Sequence, residues 1–315
     1  MIELNKFWVF LFTFLWTLPF LLNNESAGTK TIYELADDKS YFVKIDGIDI
    51  HLNKKGEGSK KFILVHGFGS STYTWEKVID ELSMYGEVIS YDRPGFGLTE
   101  RKFDYSKENY FSSEYQKDVI IKIMDYFNIE KAVIIGSSAG GNIALSTYYK
   151  YPERFEGIVL TDPVIYQKNI FSDIVKPFLY VPQFNYRGPK YIAENAEKIF
   201  FDIYEKSWYD KNLITENDFI EYQKATEVID WEKGFYEFIK YLKYEDLTKK
   251  FDKIKIPVLV ITGSDDLIVP TQDSIKLSEN IKNSTLKIID ECGHLPQEEK
   301  PEEFLETVLS FVFQN

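Results

Sequence analysis

The chain has one cysteine, Cys292, so no intrachain disulfide can staple it. It has only three histidines, His51, His66 and His294, so a mechanism that needs an imidazole base has three candidates. Lysine and arginine total 37 against 50 acidic residues, a net charge of -13. That shortage of positive charge argues against nucleic acid, or an anionic membrane surface, as a partner for the body of the chain. No His/Cys/Asp/Glu group has metal-ligand spacing and no glycine loop of the phosphate-binding type is present, so neither metal nor cofactor is expected. Internal repeats are lacking as well.

What is present is enough chain for one large α/β domain with an insertion: 315 residues, 44% hydrophobic and 28% charged. One apolar run stands out, residues 7–22, FWVFLFTFLWTLPFLL, with Lys6 before it and Glu25, Asp37 and Asp38 after it. Sixteen uncharged residues are short for a membrane-spanning helix, which needs roughly 20, and slightly long for a signal-peptide core. The flanking charges favour an amino end kept inside and a body exported. The expectation is an uncleaved signal-anchor over residues 1–30, with Trp8 and Trp16 near the interfaces and the rest membrane-anchored outside the cytoplasm. The alternatives are secretion after signal cleavage, although Ser26-Ala27-Gly28 offers no clear cleavage site, and an apolar helix lying on the body of the protein.

From Ser40 onward the pattern changes. Residues 41–45 and 48–52 flank Asp46-Gly47, a hairpin signal. Ile48, Ile50 and Leu52 alternate, which assigns His51 to the polar, solvated face of that strand. Strands at 61–65, 88–91, 132–135 and 157–160 then alternate with helical patterns at 75–84, after Ser112-Ser113, and from Asn142 to Lys150. This alternation implies a mostly parallel, doubly wound sheet with helices on both faces. Ligands in such sheets bind at the carboxyl ends of the strands. The glycine-bearing turns HGFG (66–69), DRPGFG (92–97) and GSSAGG (136–141) fall at those ends.

The third of these turns carries chemistry. Ser138 sits between Gly136 and Gly140, after an apolar strand and before a helix, in the pattern G-x-S-x-G. Glycines two residues to either side allow a tight strand-to-helix turn that presents the hydroxyl at the sheet edge. This makes Ser138 the expected nucleophile, and Cys292 a small buried residue rather than a rival.

The alternation stops at 164–251, a stretch dense in aromatics, from Phe171 and Phe178 through Phe200, Tyr204, Tyr222 and Trp231 to Tyr241 and Tyr244. Pro177, Pro182, Gly188 and Pro189 are expected to break it into several helices. An insertion over the working edge of a sheet is expected to be a lid (cap) domain, most of its rings building its own core and a minority lining an apolar pocket. The sheet resumes at 257–262 and is followed by GSDDLIVP (263–270), a helix, a strand at 285–289, and CGHLPQEEKPEEF (292–304).

These five motifs, in this order and at these strand ends, resemble the α/β-hydrolase superfamily, in the lidded branch that holds small lipases, carboxylesterases and C–C bond hydrolases. The resemblance runs from about Ser40 to the carboxyl end and does not reach residues 1–30. It implies the α/β-hydrolase fold, with a core at 31–163 and 252–315 and a helical lid at 164–251. It also implies a triad in the order Ser138, Asp266, His294, with the acid at the fourth position of G-x-x-D-x-x-V-P. Asp265 is then a turn residue, and Asp162 an outside candidate because some relatives place the acid there. The oxyanion hole is expected from the backbone N–H groups of Phe68 and Ala139, which leaves His66 a structural member of its turn. A serine at the elbow disfavours the relatives that carry aspartate there. The expected function is hydrolysis of a carboxylic ester, an acyl ester or small lipid, through an acyl-enzyme. A C–C hydrolase of a dienoate, an amidase, aminopeptidase or perhydrolase, and a non-catalytic binding protein are the alternatives.

Overall fold

The computed structural model describes residues 2–21, 25–167, 176–243 and 245–314. Phe171 and Tyr244 of the aromatic stretch, and the end of the apolar run from residue 22, lie outside them.

The sheet opens with a hairpin, β1 (Tyr41–Ile45) and β2 (Ile48–Lys55). Asp46 and Gly47 both adopt positive φ, 53° and 85°, the conformation that a two-residue turn matched to strand twist requires. The remaining strands are β3 (Lys61–Val65), β4 (Glu87–Tyr91), β5 (Ala132–Ser137), β6 (Phe155–Thr161), β7 (Val258–Gly263) and β8 (Ser284–Ile289). They form one eight-stranded sheet in the order β1-β2-β4-β3-β5-β6-β7-β8. The two pairings of β2 are antiparallel and every other pairing is parallel.

Both faces are covered, and the alternation within single strands decides which side chain goes where. On β3, Ile63 and Val65 pack with helices α3 (Ser113–Tyr126), α4 (Ala139–Lys150) and α8 (Thr271–Asn280). Phe62 and Leu64 pack on the other face, with α2 (Glu76–Ser83) and the carboxyl-terminal α10 (Pro301–Gln314). Ser112 caps α3 by accepting from the backbone N–H of Tyr115.

Strand order reverses direction at the β3–β5 pair, where Val65 stands opposite Gly136. A crevice at such a switch point is where a ligand binds in an open α/β sheet. The HGFG turn and the Ser138 turn leave the sheet side by side there.

Between β6 and β7 the described residues carry three α-helices, short 3-10 turns and no strand: α5 (Pro182–Lys206), α6 (Glu216–Lys224) and α7 (Trp231–Tyr241). The break expected at Gly188-Pro189 is absent, and α5 runs through it. Tertiary packing overrides the local signal: a Cβ at Gly188 would lie 2.1 Å from Tyr236 Cε2, so α5 and α7 approach at a distance that needs glycine. The rings of Trp231, Phe235 and Phe238 pack in one cluster with Phe96, Leu98 and Phe111 of the sheet domain, which Ile32 and Leu35 join from the amino-terminal segment.

The apolar run forms helix α1 (Ile2–Leu21), with Phe7, Trp8, Phe10 and Phe12 exposed and Leu15 O accepting a 3.3 Å bond from Gln183 on α5. The expectation of a membrane anchor is overturned: among the described residues no helix is long and apolar enough to cross a membrane. The reason is dimensional. Sixteen uncharged residues at about 1.5 Å each reach roughly 24 Å, short of a hydrocarbon core of about 30 Å. The membrane-anchored location expected from that segment is overturned by the same finding.

His51 also departs from expectation. It is buried, its Nδ1 2.7 Å from Asp92 Oδ2 and its Nε2 3.0 Å from Ser40 Oγ. The segment carrying Ser40 covers the face of β2 that alternation had assigned to solvent.

Candidate active site

Ser138 sits between β5 and α4 with φ 54° and ψ -120°, a backbone conformation that costs a non-glycine residue about 1–3 kcal/mol. Three bonds hold it: its N–H donates to Thr161 O at 2.8 Å, and its carbonyl accepts from Gly141 N at 3.0 Å and Val164 N at 3.1 Å. The glycines are a matter of space. A Cβ at Gly140 would lie 2.1 Å from Val65 O, and one at Gly136 2.5 Å from Gly140 O. Helix α4 begins at Ala139, directly after the serine and three residues ahead of the helical pattern read at Asn142.

The HGFG turn closes over the serine. A Cβ built on Gly67 would be 3.2 Å from Ser138 Cβ. His66 fixes this turn: Nδ1 lies 2.8 Å from Gly67 O, and Nε2 accepts from Arg93 N at 2.9 Å. Burial, with the Arg93 charge adding to it, pulls the His66 pKa down to about 3, so the ring is neutral. The buried Arg93 Nη1 donates to His66 O at 2.8 Å and Gly67 O at 3.2 Å. In the sequence Arg93 is one residue of a turn-rich hexamer, and nothing local marks it as the brace of another turn. From the far side the Phe68 ring packs on Phe96, Phe235 and Phe238.

Asp266 and His294 come together from the ends of β7 and β8. His294 Nδ1 lies 2.6 Å from Asp266 Oδ2, and both residues are buried. Asp266 Oδ1 accepts from Ile268 N at 2.7 Å and Val269 N at 2.9 Å, which fixes the carboxylate. Asp265 is exposed. Asp162 lies alongside but bonds elsewhere, accepting from Thr262 Oγ1 at 2.7 Å and Gly263 N at 3.2 Å. Burial, and then the neighbouring Asp266 carboxylate, push the Asp162 carboxyl well above the usual range. Asp162, Asp266 and His294 are the one His/carboxylate group among the described residues compact enough to hold a metal ion, with ligand atoms within 4.8 Å of one another. Since His294 Nδ1 and Asp266 Oδ2 already face each other, the set reads as an imidazole oriented by a carboxylate. The Cys292 thiol is buried and its pKa is pushed up, chiefly by burial, so it stays protonated.

Ser138, His294, Phe68 and Ala139 line one cavity of about 280 Å³. Phe200, Phe201, Tyr204, Phe219 and Tyr222 of the insertion wall it on the other side. No hydrogen bond joins Ser138 to His294 among the described residues, and Ser138 is only 8% exposed. Glu298 and Glu299, inside the CGHLPQEEKPEEF stretch but given no role there, tie this wall to the sheet. Glu299 accepts from Gly293 N at 2.7 Å and Asp210 N at 2.7 Å, and His294 N donates to Ser207 O at 2.6 Å. The loop of His294 is thus bonded to the insertion.

Comparison with known proteins agrees with the fold. Residues 60–301 match the profile of the alpha/beta hydrolase fold family. A 2-hydroxy-6-oxononadienedioate/2-hydroxy-6-oxononatrienedioate hydrolase of Burkholderia vietnamiensis is 28% identical over 90% of this chain and 99% of its own. A pimeloyl-[acyl-carrier protein] methyl ester esterase of Wigglesworthia glossinidia brevipalpis is 28% identical over 82% of this chain and 95% of its own. The solved structure of a meta-cleavage product hydrolase from Pseudomonas fluorescens IP01 superposes with a TM-score of 0.69 at 26% identity, covering 87% of this chain and 97% of that one. With a sheet, a serine turn and a family profile that agree, the chain belongs to the α/β-hydrolase fold family and is a hydrolase.

Proposed function

We propose that the chain is a serine hydrolase that cleaves a carboxylic ester, of an apolar acyl group or small lipid, through an acyl-enzyme. The observation that carries this reading is the convergence on one cavity of a serine held at positive φ and an imidazole bonded to a fixed carboxylate, beneath the HGFG turn. In this reading Ser138 Oγ attacks the ester carbonyl while His294 Nε2 takes its proton. Asp266 holds Nδ1–H and stabilises the imidazolium. The C–O bond then breaks, and His294 returns the proton to the leaving alkoxide. Water, deprotonated by His294 in turn, releases the acid. The N–H groups of Phe68 and Ala139 receive the oxyanion, the latter aided by the α4 dipole. The Ser138–His294 bond forms when substrate orders the site, as catalytic hydrogen bonds often do. Residues 164–251 act as the lid.

The character of the cavity bears on the bond cleaved. Among its described lining residues there is one carboxylate, Glu197, and no lysine or arginine. A dioate would enter with two negative charges and find no cation to pair them, at a large desolvation cost. A neutral ester has no such need. The C–C hydrolysis named for the Burkholderia relative is the second reading, and it rests on that similarity. The test is turnover of p-nitrophenyl esters of graded chain length beside a dienoate. Ester turnover that exceeds dienoate turnover supports the first reading, and cleavage of the dienoate alone overturns it.

A further inference from the structure

Glu298 is 3% exposed, on the short helix α9 (Pro296–Glu299), at the seam between the sheet domain and the insertion. Three hydroxyl groups converge on its carboxyl. Thr74 Oγ1, from the turn before α2, and Tyr222 OH, from α6, each donate to Oε1 at 2.5 Å. Tyr204 OH, from α5, meets Oε2 at 3.2 Å. Both tyrosines and Thr74 also line the cavity that holds Ser138 and His294. Ser138 lies 8% exposed on the floor of that cavity, and these bonds lie across the surface where the insertion meets the sheet domain.

We propose that Glu298 is a protonation-sensitive latch: while it carries its proton it keeps the lid shut through Tyr204 and Tyr222, and loss of the proton favours release. Glu298 touches no reacting atom. It is a positioning residue that acts through the lid, and the inference rests on reading the insertion as a lid but not on which bond the enzyme cleaves.

The charges facing the carboxyl are few. Lys77 Nζ is committed to the Glu298 backbone carbonyl at 2.9 Å and stands over the Trp208 ring at 4.9 Å. The Tyr73 hydroxyl beside Tyr222 donates to Asp218 at 2.7 Å, and Glu299 is spent on backbone N–H groups. Tyr204 and Tyr222 have raised pKa values, burial first, and remain donors. Among the described residues no ion pair offsets the burial of a charge at Glu298. Burial raises its pKa to about 7 from an ordinary 4.5, even though the bonds from Thr74, Tyr222 and Tyr204 and the Lys77 charge all pull it down.

The sign follows from proton linkage. The closed state holds the proton up to about 7, whereas an open, hydrated Glu298 releases it near 4.5. Closure is therefore fully favoured below about 4.5, weakens as pH rises through that window, and is weakest above about 7. The closed-to-open ratio changes by up to about tenfold per pH unit inside the window.

Hydrogen exchange of the full chain tests this without any substrate, so its outcome is separate from that of the esterase reading. Protection of α6 (Glu216–Lys224), corrected for intrinsic exchange, is expected to fall about 10- to 30-fold between about pH 5.5 and pH 8. Glu298→Gln should remove that dependence. Tyr222→Phe deletes a donor that lowers the Glu298 pKa, so it should move the transition to higher pH. This second variant decides the matter if Glu298→Gln does not fold. Equal protection of α6 at both pH values, wild-type pH dependence in Glu298→Gln, or an unmoved transition in Tyr222→Phe overturns the latch.

Discussion

The molecule contains two serine–histidine–aspartate constellations, and they differ in instructive ways. In one, His294 is 2.6 Å from Asp266 and shares a cavity with Ser138. In the other, His51 is 2.7 Å from Asp92 and 3.0 Å from Ser40. By hydrogen-bond geometry the second is the more complete. What it lacks is everything else. Ser40 precedes a strand rather than a helix, and its hydroxyl is engaged by Asp37 through both a 3.1 Å bond from the backbone N–H and a 3.0 Å bond to the carboxylate. The space beside it is about 60 Å³, little more than two waters, against about 280 Å³ beside Ser138. A proton relay becomes a catalytic site only with a strained, accessible nucleophile, waiting oxyanion donors and room for a substrate.

Substitution tests this contrast, and the largest effect belongs to the serine. Ser138→Ala should lower kcat on a reactive ester by about 10⁴- to 10⁶-fold, measured against background hydrolysis. His294→Ala should lose a comparable factor, whereas His51→Ala should retain activity within a few-fold. His51→Ala should instead destabilise the fold by about 1–3 kcal/mol in a denaturant titration, because it strips a partner from a buried carboxylate. Asp266→Asn should cost about 10⁴ in kcat by favouring the wrong tautomer of His294. Asp162→Asn, which keeps an acceptor for Thr262 and Gly263 N, should cost far less, and a loss equal to that of Asp266→Asn would make Asp162 the acid. The smallest effect belongs to Ser40→Ala, with unchanged kcat and about 0.5–1.5 kcal/mol of stability lost.

The Asp92 site adds a pH signature of its own. Burial opposes ionisation there, but His51 and the Leu98 backbone N–H hold the Asp92 carboxyl well below its usual range. A depressed folded-state pKa contributes stability above the unfolded value, 3.8, and loses it as pH falls below that. Acid denaturation should therefore be shallower in Asp92→Asn than in wild type below about pH 4.

The contrast also explains what could be read from the chain alone. The Ser138 turn is legible because its glycines have a local steric purpose, whereas the HGFG turn and the Asp266 and His294 ends stand out through the resemblance to the α/β-hydrolase superfamily. His51 departs from the pattern because period-two alternation assumes that one face of β2 meets water, and the segment covering that face is a contact no local pattern encodes. Glu298 is hidden in the sequence for the same reason. In QEEKPEE it looks like a solvated helix charge, and its burial depends on tyrosines 76 and 94 residues away. Helix α1 differs in another way: the run is apolar, but too short to cross a membrane.

The most direct measurement is to treat the full chain with a fluorophosphonate and map the modified residue by mass spectrometry. One adduct is expected, on Ser138, that disappears in Ser138→Ala and is strongly slowed in His294→Ala, with none on Ser40. An adduct on Ser40 in its place, or undiminished ester turnover by Ser138→Ala, would contradict it.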